Sequence, residues 1–496
     1  MNQRPETVKN GTKEQRVTIG IIGAGPGGYI AALSAARRGA RVTLVERERV
    51  GGSCLRRGCI PTKTLYRSRQ VMECLRNSAM FGVHAGEADF DLAEILKRKN
   101  MIVNMLTDGT DCLLRAGNIE LVRGHASFLD GRRLLIRERT GGERILETDF
   151  YIVATGAVHG EVPFPVEGDP AVAAAEEFFD MDRIPDKLVI VGGGAVGAEM
   201  AAICCSFGSK VTIVEQAPSL LPGVDVEITE YLRREMEKRG VRVLLSSRVK
   251  RVKGGPARAR VQIEGADGSE MEMAADLVLL AMGRRARTEG LNLDCTGARM
   301  KDGFLEVDDG LETAAPGIYG IGDVCGGPML AHAASRQGEL LAERLMRKGK
   351  KAGGTLKIDS RLVPACIFSL AEVASVGYSE KEAVLSGRPV SVGRFPFSAN
   401  GKALADGANG FVKVVIDGKT REILGIHAVG QDASSLIGEA SLIVTHRMKV
   451  EDVTEVIHPH PTLSETLREA CLSAVGMAFH VANLSGMSYR ARVETE

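Results

Sequence analysis

A strand, a glycine-rich loop and a helix follow one another near the start of the chain, and this unit restricts the fold more than any other feature. The apolar run Val17–Ile22 predicts a strand, and the helix is expected at Tyr29–Arg38. Between them, Gly23 permits a tight turn, Gly25 lets the backbone approach a pyrophosphate, and Gly28 lets the helix pack on the strand. The pattern predicts a dinucleotide-binding fold, because N–H groups at the start of a helix attract phosphates. A plain glycine-rich turn is the alternative.

The same unit occurs a second time. The strand Lys187–Val191 is followed by a loop with Gly192, Gly194 and Gly197, and then by the expected helix Ala198–Phe207. The repetition with the same spacing favours two nucleotide-binding units in one chain.

An acidic residue follows the second strand of each unit, about 20 residues after the loop. Glu46 follows the strand Arg41–Val45, and Glu215 follows the strand Lys210–Val214. A carboxylate at this position accepts hydrogen bonds from a ribose diol and repels a 2′-phosphate, so the second unit is expected to bind NAD rather than NADP. Two dinucleotide sites in one chain indicate a hydride relay, since one of the cofactors can be a flavin.

Charge and composition argue against several other classes of protein. Lys and Arg number 64 and Asp and Glu 63, so the net charge of +1 gives no sign of a nucleic-acid or membrane partner. Ten cysteines in 496 residues are too few for a secreted disulfide scaffold. No run reaches the ~18 apolar residues of a membrane helix. The polar segment Met1–Arg16 lacks the apolar core of a signal peptide, so we expect a cytoplasmic protein.

Two cysteines, Cys54 and Cys59, lie about one and a half helical turns apart. Arg56, Arg57 and Lys63 surround them with positive charge, which favours the thiolate form. The pattern predicts a redox-active pair, with a metal pair or two unrelated thiols as alternatives. The chain has no second ligand pair at a suitable spacing, so we expect no metal.

The segment Gly51–Lys63 resembles the redox segment of the flavoprotein disulfide reductases of the pyridine nucleotide class. Further segments match that family in the same order: Ala154-Thr155-Gly156, Gly322-Asp323, Pro328–His332 and His458–Glu465. The similarity runs from about Val17 to Ala474, and within the class it is strongest to the dihydrolipoamide dehydrogenases. It implies an α/β fold with two Rossmann-like dinucleotide-binding domains, for FAD and NAD, and a C-terminal α+β dimerisation domain.

The resemblance implies FAD in the first unit and NAD in the second. The residues expected to bind FAD are Gly23, Gly25, Gly28, Glu46, Lys63, Ala126, Thr155, Gly156, Asp323, Met329, Leu330, Ala331 and His332. Those expected to bind NAD are Gly192, Gly194, Gly197, Glu215, Val249 and Gly283. Lys63, paired with Glu199, is expected near flavin N5, where a cation stabilises the reduced ring.

The resemblance also assigns catalytic roles. Cys54 is expected to exchange with a dithiol substrate, and Cys59 to pass electrons to the flavin. His460 is the expected base, with Glu465 orienting its imidazole. The family is homodimeric, and His460 reaches the disulfide of the neighbouring subunit. We interpret His458, two residues before the base, as structural.

The implied reaction is the oxidation of dihydrolipoamide to lipoamide with reduction of NAD⁺ to NADH. We expect residues 1–160 to form the first part of an FAD domain, 161–283 an NAD domain, 284–351 the rest of the FAD domain, and 352–496 an interface domain. A lipoyl protein of a 2-oxo acid dehydrogenase or glycine cleavage complex is the expected protein partner. The alternatives are a related reductase for another small disulfide or a mercuric species, and a non-catalytic structural subunit.

Overall fold

The computed structural model describes residues 16–255, 258–347 and 355–481. All but the last residue of the polar segment Met1–Arg16 therefore lies outside the described residues. Within the described ranges, no helix is both long enough and apolar enough to cross a membrane.

The described residues form twelve α-helices: α1 (Pro26–Arg37), α2 (Gly52–Arg57), α3 (Cys59–Arg76), α4 (Leu92–Ala116), α5 (Ala195–Ser206), α6 (Val226–Lys238), α7 (Ala331–Met346), α8 (Glu380–Leu385), α9 (Gly401–Ala405), α10 (Ile437–Thr445), α11 (Val450–Thr454) and α12 (Glu465–Ala474). The strands of the first half are β1 (Thr18–Ile22), β2 (Arg41–Glu46), β3 (Glu120–Phe128), β4 (Arg133–Glu138), β5 (Glu143–Glu147), β6 (Phe150–Val153), β7 (Ala157–His159), β8 (Val166–Gly168), β9 (Val172–Ala174), β10 (Lys187–Val191), β11 (Lys210–Val214) and β12 (Arg242–Leu244). The strands of the second half are β13 (Arg248–Gly255), β14 (Arg258–Glu264), β15 (Glu270–Ala275), β16 (Leu277–Leu280), β17 (Arg284–Ala286), β18 (Met300–Lys301), β19 (Phe304–Leu305), β20 (Ile318–Gly320), β21 (Ala365–Phe368), β22 (Glu372–Gly377), β23 (Val390–Pro396), β24 (Gly410–Asp417) and β25 (Ile423–Gly430).

The first compact unit comprises Met1–Gly52, Thr107–Ala157 and Ala286–Lys357. It is built on a seven-stranded sheet in the order β20-β6-β1-β2-β3-β4-β5, parallel as far as β3 and antiparallel beyond it. Along β1 the residues Ile19–Ile22 are all buried, as expected for a parallel strand covered on both faces. Helices α1 and α7 of this unit pack against each other.

The second compact unit comprises Ser53–Leu106, Val158–Arg285 and Ile358–Glu496. It contains the second strand–loop–helix unit, in a parallel sheet of order β12-β11-β10-β16-β9. A smaller sheet, β15-β14-β13-β8, belongs to the same unit. Helices α3 and α5 pack together here, with Leu65 and Met72 of α3 in one apolar cluster with Ala198 and Ala201 of α5. This packing brings the helix that contains Cys59 and Lys63 next to the helix that contains Glu199.

The C-terminal part of the second unit is a five-stranded antiparallel sheet in the order β21-β22-β25-β24-β23. Helices α10 and α12 pack on this sheet. Val412, Val414 and Ile426 of its strands lie in one buried apolar cluster with Ala440 of α10 and Leu467 of α12. With the two dinucleotide-type sheets, this layer of helices on an antiparallel sheet confirms the predicted fold class. The predicted domain boundaries stay a prediction.

The helices after the two glycine loops begin earlier than the sequence pattern indicated. Helix α1 begins at Pro26 rather than Tyr29, and α5 begins at Ala195 rather than Ala198. Proline is well suited to the first helical position, because its missing N–H has no partner there in any case. The last loop residues therefore form the first helical turn, which places their N–H groups at the open end of each helix.

A buried cation connects the start of α6 to the antiparallel sheet. The side chain of Lys413 in β24 is fully buried, and its Nζ lies 2.9 Å from Asp225, 3.1 Å from Glu227 and 2.7 Å from Glu380. Asp225 also caps α6 by accepting a hydrogen bond from the N–H of Glu227. Burial alone would raise the pKa of Asp225, but Lys413 and its hydrogen bonds hold that pKa below its ordinary value. The charge of Lys413 therefore keeps this carboxylate ionised in the interior.

We expect Lys413→Met to lower the free energy of unfolding by about 3–5 kcal/mol, because it leaves the buried Asp225 carboxylate without its cation. Urea denaturation of the purified protein measures this. The control is Lys402→Met, which removes an exposed pair with Asp406 on α9 and should cost less than about 1 kcal/mol. Equal small losses in both variants would contradict the proposed role of the buried cation.

Candidate active site

The first glycine loop has the geometry of a phosphate cradle. Gly23 has φ +100°, and a Cβ there would lie 2.5 Å from the carbonyl oxygen of Ala154. A Cβ at Gly28 would lie 1.9 Å from the oxygen of Gly23, so both positions require glycine. Gly25 is the N-cap of α1, and among the described side chains none caps the first turn of that helix. The N–H groups of this turn are therefore oriented for an anionic ligand.

Glu46 is fixed beside this loop. One of its carboxylate oxygens accepts a hydrogen bond from the N–H of Ala24 at 2.7 Å, and the other accepts one from Glu48 at 2.8 Å. Each carboxylate oxygen has a second lone pair, so the group retains the capacity to accept hydrogen bonds from a ribose diol. The residues present fit a dinucleotide with a free ribose.

The second loop repeats this geometry. Gly192 has φ +108°, and a Cβ at Gly197 would lie 2.0 Å from the oxygen of Gly192. Glu215 accepts hydrogen bonds from the N–H groups of Gly193 at 2.5 Å and Ala217 at 2.7 Å. A Cβ at Gly194, the N-cap of α5, would meet no atom within 4 Å among the described residues. Space is therefore open beside the loop at the position where a pyrophosphate approaches.

The remaining predicted cofactor residues are distributed over both compact units. In the first unit, Ala126 is buried in β3, Asp323 lies in a 3₁₀ turn, and Met329 has a left-handed backbone just before α7. Thr155 and Gly156 follow β6, and Leu330, Ala331 and His332 lie at the start of α7. In the second unit, Val249 is buried in β13, and Gly283 has φ +53°. The assignment of these residues to cofactors stays a prediction.

Sequence reasoning missed two glycines that shape the first loop. Gly52 has φ +60°, and a Cβ there would lie 2.7 Å from Cα of Gly25. A Cβ at Gly338 in α7 would lie 2.6 Å from the oxygen of Gly27, so this glycine permits the close packing of α7 on α1. The Gly51-Gly52 pair was a signal for the first; a lone glycine within a helical pattern was the signal for the second.

The two predicted redox cysteines lie on consecutive helices. Cys54 is in α2, and Cys59 is the first residue of α3, an 18-residue helix with Gly58 as its N-cap. Both are thiols in this structure and both are partly buried. The positive end of a helix stabilises a thiolate, so its position favours Cys59 as the anionic sulfur.

Local contacts make the two sulfurs chemically different. Interaction with the neighbouring Cys54 is the largest cause that lowers the pKa of Cys59 to about 7, and the charge of Lys63 lowers it further. The same interaction, with burial, raises the pKa of Cys54 well above its ordinary value. These directions agree with the position of Cys59 at the start of α3, and together they favour Cys59 as the thiolate of the pair.

The cation beside this pair is held by a carboxylate. Nζ of Lys63, one turn after Cys59 in α3, lies 2.9 and 3.1 Å from the two carboxylate oxygens of Glu199 in α5. The ion pair that the resemblance implies is therefore present. The side chain of Glu199 is buried, whereas about a third of the Lys63 side chain is exposed. Lys63 thus keeps part of its ammonium open while its position is fixed.

The predicted base and its carboxylate are also together. Nδ1 of His460 lies 2.9 Å from Oε1 of Glu465, and Oε2 of Glu465 accepts the N–H of Thr462 at 2.9 Å. Burial alone would raise the pKa of Glu465, but these two contacts lower it below its ordinary value. Because Nδ1 contacts Glu465, Nε2 lies on the opposite side of the imidazole ring. The His460 side chain is 79% exposed.

His458 differs from His460 in its burial and in the contacts of its two ring nitrogens. Its side chain is only 5% exposed, Nδ1 contacts the carbonyl oxygen of Val456 at 3.1 Å, and Nε2 contacts Glu439 of α10 at 2.9 Å. Both ring nitrogens are occupied within the chain, which agrees with its interpretation as structural. No group of three His, Cys, Asp or Glu side chains suited to a metal ion occurs in the described part of the chain.

We expect Gly194→Ala to leave the fold intact and to weaken NAD⁺ binding at least about tenfold, because its methyl group occupies the space that the pyrophosphate needs. Isothermal titration with NAD⁺ measures the Kd, and the thermal midpoint reports on folding. Gly438→Ala in α10 is the control, since its Cβ also meets no described atom within 4 Å but lies far from this loop in the sequence. An unchanged Kd in Gly194→Ala would contradict the assignment of the loop.

Comparison with known proteins identifies the family. Residues 17–338 match the family model described as pyridine nucleotide-disulphide oxidoreductase, and residues 363–471 match the dimerisation domain of that family. The chain is 38% identical over 468 residues to a dihydrolipoyl dehydrogenase of Bacillus subtilis (strain 168), covering 94% of this chain and 100% of the relative. It is 39% identical to the dihydrolipoyl dehydrogenase of Thermus scotoductus, covering 93% of this chain and 98% of the relative.

Solved structures agree with this result. LpdA from Mycobacterium tuberculosis superposes with a TM-score of 0.82 at 26% identity, covering 92% of this chain and 99% of that one. The Cu(II) complex of the HOCl-induced flavoprotein disulfide reductase RclA from Escherichia coli gives a TM-score of 0.81 at 28% identity, with the same coverage.

These matches confirm the predicted enzyme class and the two predicted cofactors, FAD and NAD, and the dimerisation domain supports a homodimer. With the two loops and the cysteine pair, they show that the chain belongs to the pyridine nucleotide-disulphide oxidoreductase family.

Proposed function

We propose that this chain is a dihydrolipoyl dehydrogenase, which oxidises dihydrolipoamide to lipoamide and reduces NAD⁺ to NADH. The observation that carries the proposal is the position of the cysteine pair beside a fixed cation: Cys59 is the first residue of α3, and Lys63, one turn later, is paired with Glu199 at 2.9 Å. A dithiol oxidant needs one sulfur that exchanges with substrate and one that is a good leaving group. The names of the curated relatives support the same activity.

In the oxidised enzyme, the reaction begins with transfer of a proton from one thiol of dihydrolipoamide to Nε2 of His460. The substrate thiolate attacks Sγ of Cys54, the Cys54–Cys59 bond breaks, and Cys59 leaves as a thiolate stabilised by Lys63 and the start of α3. The second substrate thiol attacks the substrate sulfur of the mixed disulfide, and its proton passes to the departing Cys54 sulfur as lipoamide forms. The first proton stays on His460 and is released to solvent before the next turnover.

FAD, when bound, supplies the two-electron relay between this dithiol and NAD⁺. Gly23, Gly25 and Gly28 provide its phosphate cradle, and Glu46 its ribose acceptor. Glu215 selects NAD⁺ by accepting from the free ribose diol, and it repels a 2′-phosphate.

The active site is proposed to need two chains. Glu465 orients His460, yet the imidazole is 79% exposed and has no sulfur partner among the described contacts of its own chain. In the homodimer it serves the cysteine pair of the neighbouring subunit. We propose the domain division of 1–160, 161–283, 284–351 and 352–496, with the last range forming the interface.

The proposed setting of the enzyme is the cytoplasm. Its protein partner is the lipoyl-bearing component of a 2-oxo acid dehydrogenase or glycine cleavage complex. The chemistry of the cysteine pair supports a dithiol substrate in general, and the relatives support dihydrolipoamide in particular.

The direct test is steady-state turnover of free dihydrolipoamide with NAD⁺. We expect turnover with NAD⁺ to exceed that with NADP⁺ at least about tenfold, and His460→Gln to retain FAD but lose at least about 99% of kcat, because the proton acceptor is missing. The matched control is His446→Gln, which changes an exposed histidine at the end of α10. If the enzyme turns over glutathione disulfide or mercuric ion with NADH faster than it turns over dihydrolipoamide with NAD⁺, dihydrolipoamide is not its main substrate.

A second test uses the colour of the reduced holoenzyme. We expect a long-wavelength thiolate-to-flavin charge-transfer band after anaerobic reduction, which grows as the pH rises through about 7 because Cys59 ionises there. Cys59→Ser should abolish the band. Cys54→Ser cannot form the disulfide, so its Cys59 thiolate should give the band with oxidised flavin before any reductant is added. A band that survives in Cys59→Ser would show that another sulfur is the donor.

A further inference from the structure

We propose that Phe368 is a positioning residue that fixes the ammonium of Lys63 at the redox pair. Its aromatic ring and its backbone N–H contact both members of the Lys63–Glu199 ion pair. The inference rests on the proposed function only in treating Lys63 and Cys59 as redox groups. Phe368 is the last residue of β21, in the antiparallel sheet of the second unit.

Two contacts carry this inference. Nζ of Lys63 lies over the face of the Phe368 ring, 4.7 Å from its centroid. The N–H of Phe368 donates a hydrogen bond of 2.9 Å to Oε1 of Glu199, the same oxygen that accepts from Lys63. The ring attracts the cation, and the N–H fixes the carboxylate. One residue therefore restricts both ends of the ion pair.

The ring itself is held from behind. The ring of Tyr66, one turn after Lys63 in α3, packs edge-on against Phe368 with 5.6 Å between the centroids. The hydroxyl of Tyr66 donates to Glu372 at 3.1 Å, and Glu372 also accepts the N–H and the hydroxyl of Ser434. Burial raises the pKa of Tyr66 well above its ordinary value, so this phenol stays protonated and keeps donating.

The segment after Phe368 is fastened by the next turn of α3. Arg69 is buried and donates to the carbonyl oxygens of Ser369 and Leu370, each at 3.4 Å. The hydroxyl of Ser369 donates to the carbonyl oxygen of Ala198, next to Glu199. Lys63, Tyr66 and Arg69 are spaced three residues apart and share one face of the helix. That face holds residues 368–370 in a fixed position.

A fixed ammonium matters because lysine is a flexible point charge. Its four-carbon stem loses much of its rotamer freedom when it is immobilised, so a single ion pair holds it loosely. The groups that act on the Cys59 sulfur come from three helices: Cys54 of α2, Lys63 of α3 and Glu199 of α5. Cys366, in the same strand as Phe368, stays neutral because burial raises its pKa to about 11. The Phe368 ring therefore acts on the Cys59 sulfur through the position of the Lys63 ammonium.

The test is the ionisation of Cys59 in reduced holoenzyme, followed by ultraviolet thiolate absorbance and corrected by subtracting the signal of Cys59→Ser. We expect Phe368→Leu to raise the proton affinity of Cys59 by about three- to tenfold, so that the inflection moves to higher pH, because the cation is no longer held over a ring face. Phe368→Tyr keeps the ring face and should restore the inflection to within about twofold of the parent.

The matched control is Phe411→Leu. Phe411 is also partly buried in the same sheet and packs edge-on against a tyrosine, Tyr231, with 5.8 Å between the centroids. It contacts neither Lys63 nor Glu199 among the hydrogen bonds and ring contacts of the described residues. If a loss of packing in this sheet were enough to move the Cys59 inflection, Phe411→Leu would move it as Phe368→Leu does.

Pentafluorophenylalanine at position 368 keeps the shape of the ring and reverses its quadrupole, and so it separates electrostatics from packing if Phe368→Leu does not fold. It should shift the inflection as Phe368→Leu does. Equal inflections in the parent, the fluorinated protein and Phe411→Leu would overturn the inference. This readout does not depend on substrate turnover, so a failed dihydrolipoamide assay would contradict the proposed function and leave the role of Phe368 to be decided by the titration.

Discussion

The positive charge at the start of α3 is the constraint on which the redox site depends. Cys59 occupies the first position of that helix, and Lys63 follows one turn later. The helix end and the ammonium both favour a thiolate at Cys59. Two chemically identical side chains thereby acquire different proton affinities. This difference suits the proposed mechanism, in which one sulfur exchanges with the substrate and the other accepts negative charge.

The two nucleotide loops show how a backbone constraint can be repeated without repeating the surrounding sequence. In both, a glycine with positive φ turns the chain, and a second glycine lies against its carbonyl oxygen at a separation that no side chain permits. In both, a glutamate receives two backbone N–H groups from its own loop and strand end. Each carboxylate is therefore already oriented by the protein, and the proposed ribose contact requires little rearrangement of it.

Features that are contiguous in the sequence could be predicted from it. The two loops, the acidic strand ends and the cysteine pair each occupy a short segment whose spacing reflects local geometry. The Lys63–Glu199 pair spans 136 residues and was expected only through the family resemblance.

The contacts of Phe368, and of Tyr66 with Glu372 across 306 residues, were not predicted, because nothing local marks which strand end packs against α3. The same holds for Lys413, whose partner Asp225 is 188 residues away. A lysine within a strand rich in valine, such as Lys413 in β24, is ordinarily expected to face solvent. Only the fold shows that carboxylates surround it. The early start of α1 and α5 was missed for a different reason, since a glycine-rich loop and a first helical turn have the same composition.

The two histidines of this loop, His458 and His460, have different contacts. His458 uses both ring nitrogens to anchor its loop within its own chain, whereas His460 remains exposed and is oriented by Glu465. The loop is consequently preorganised before two subunits meet. In the proposed two-chain site, subunit association then spends little conformational entropy on arranging His460, and more of the contact energy is retained as affinity between the subunits.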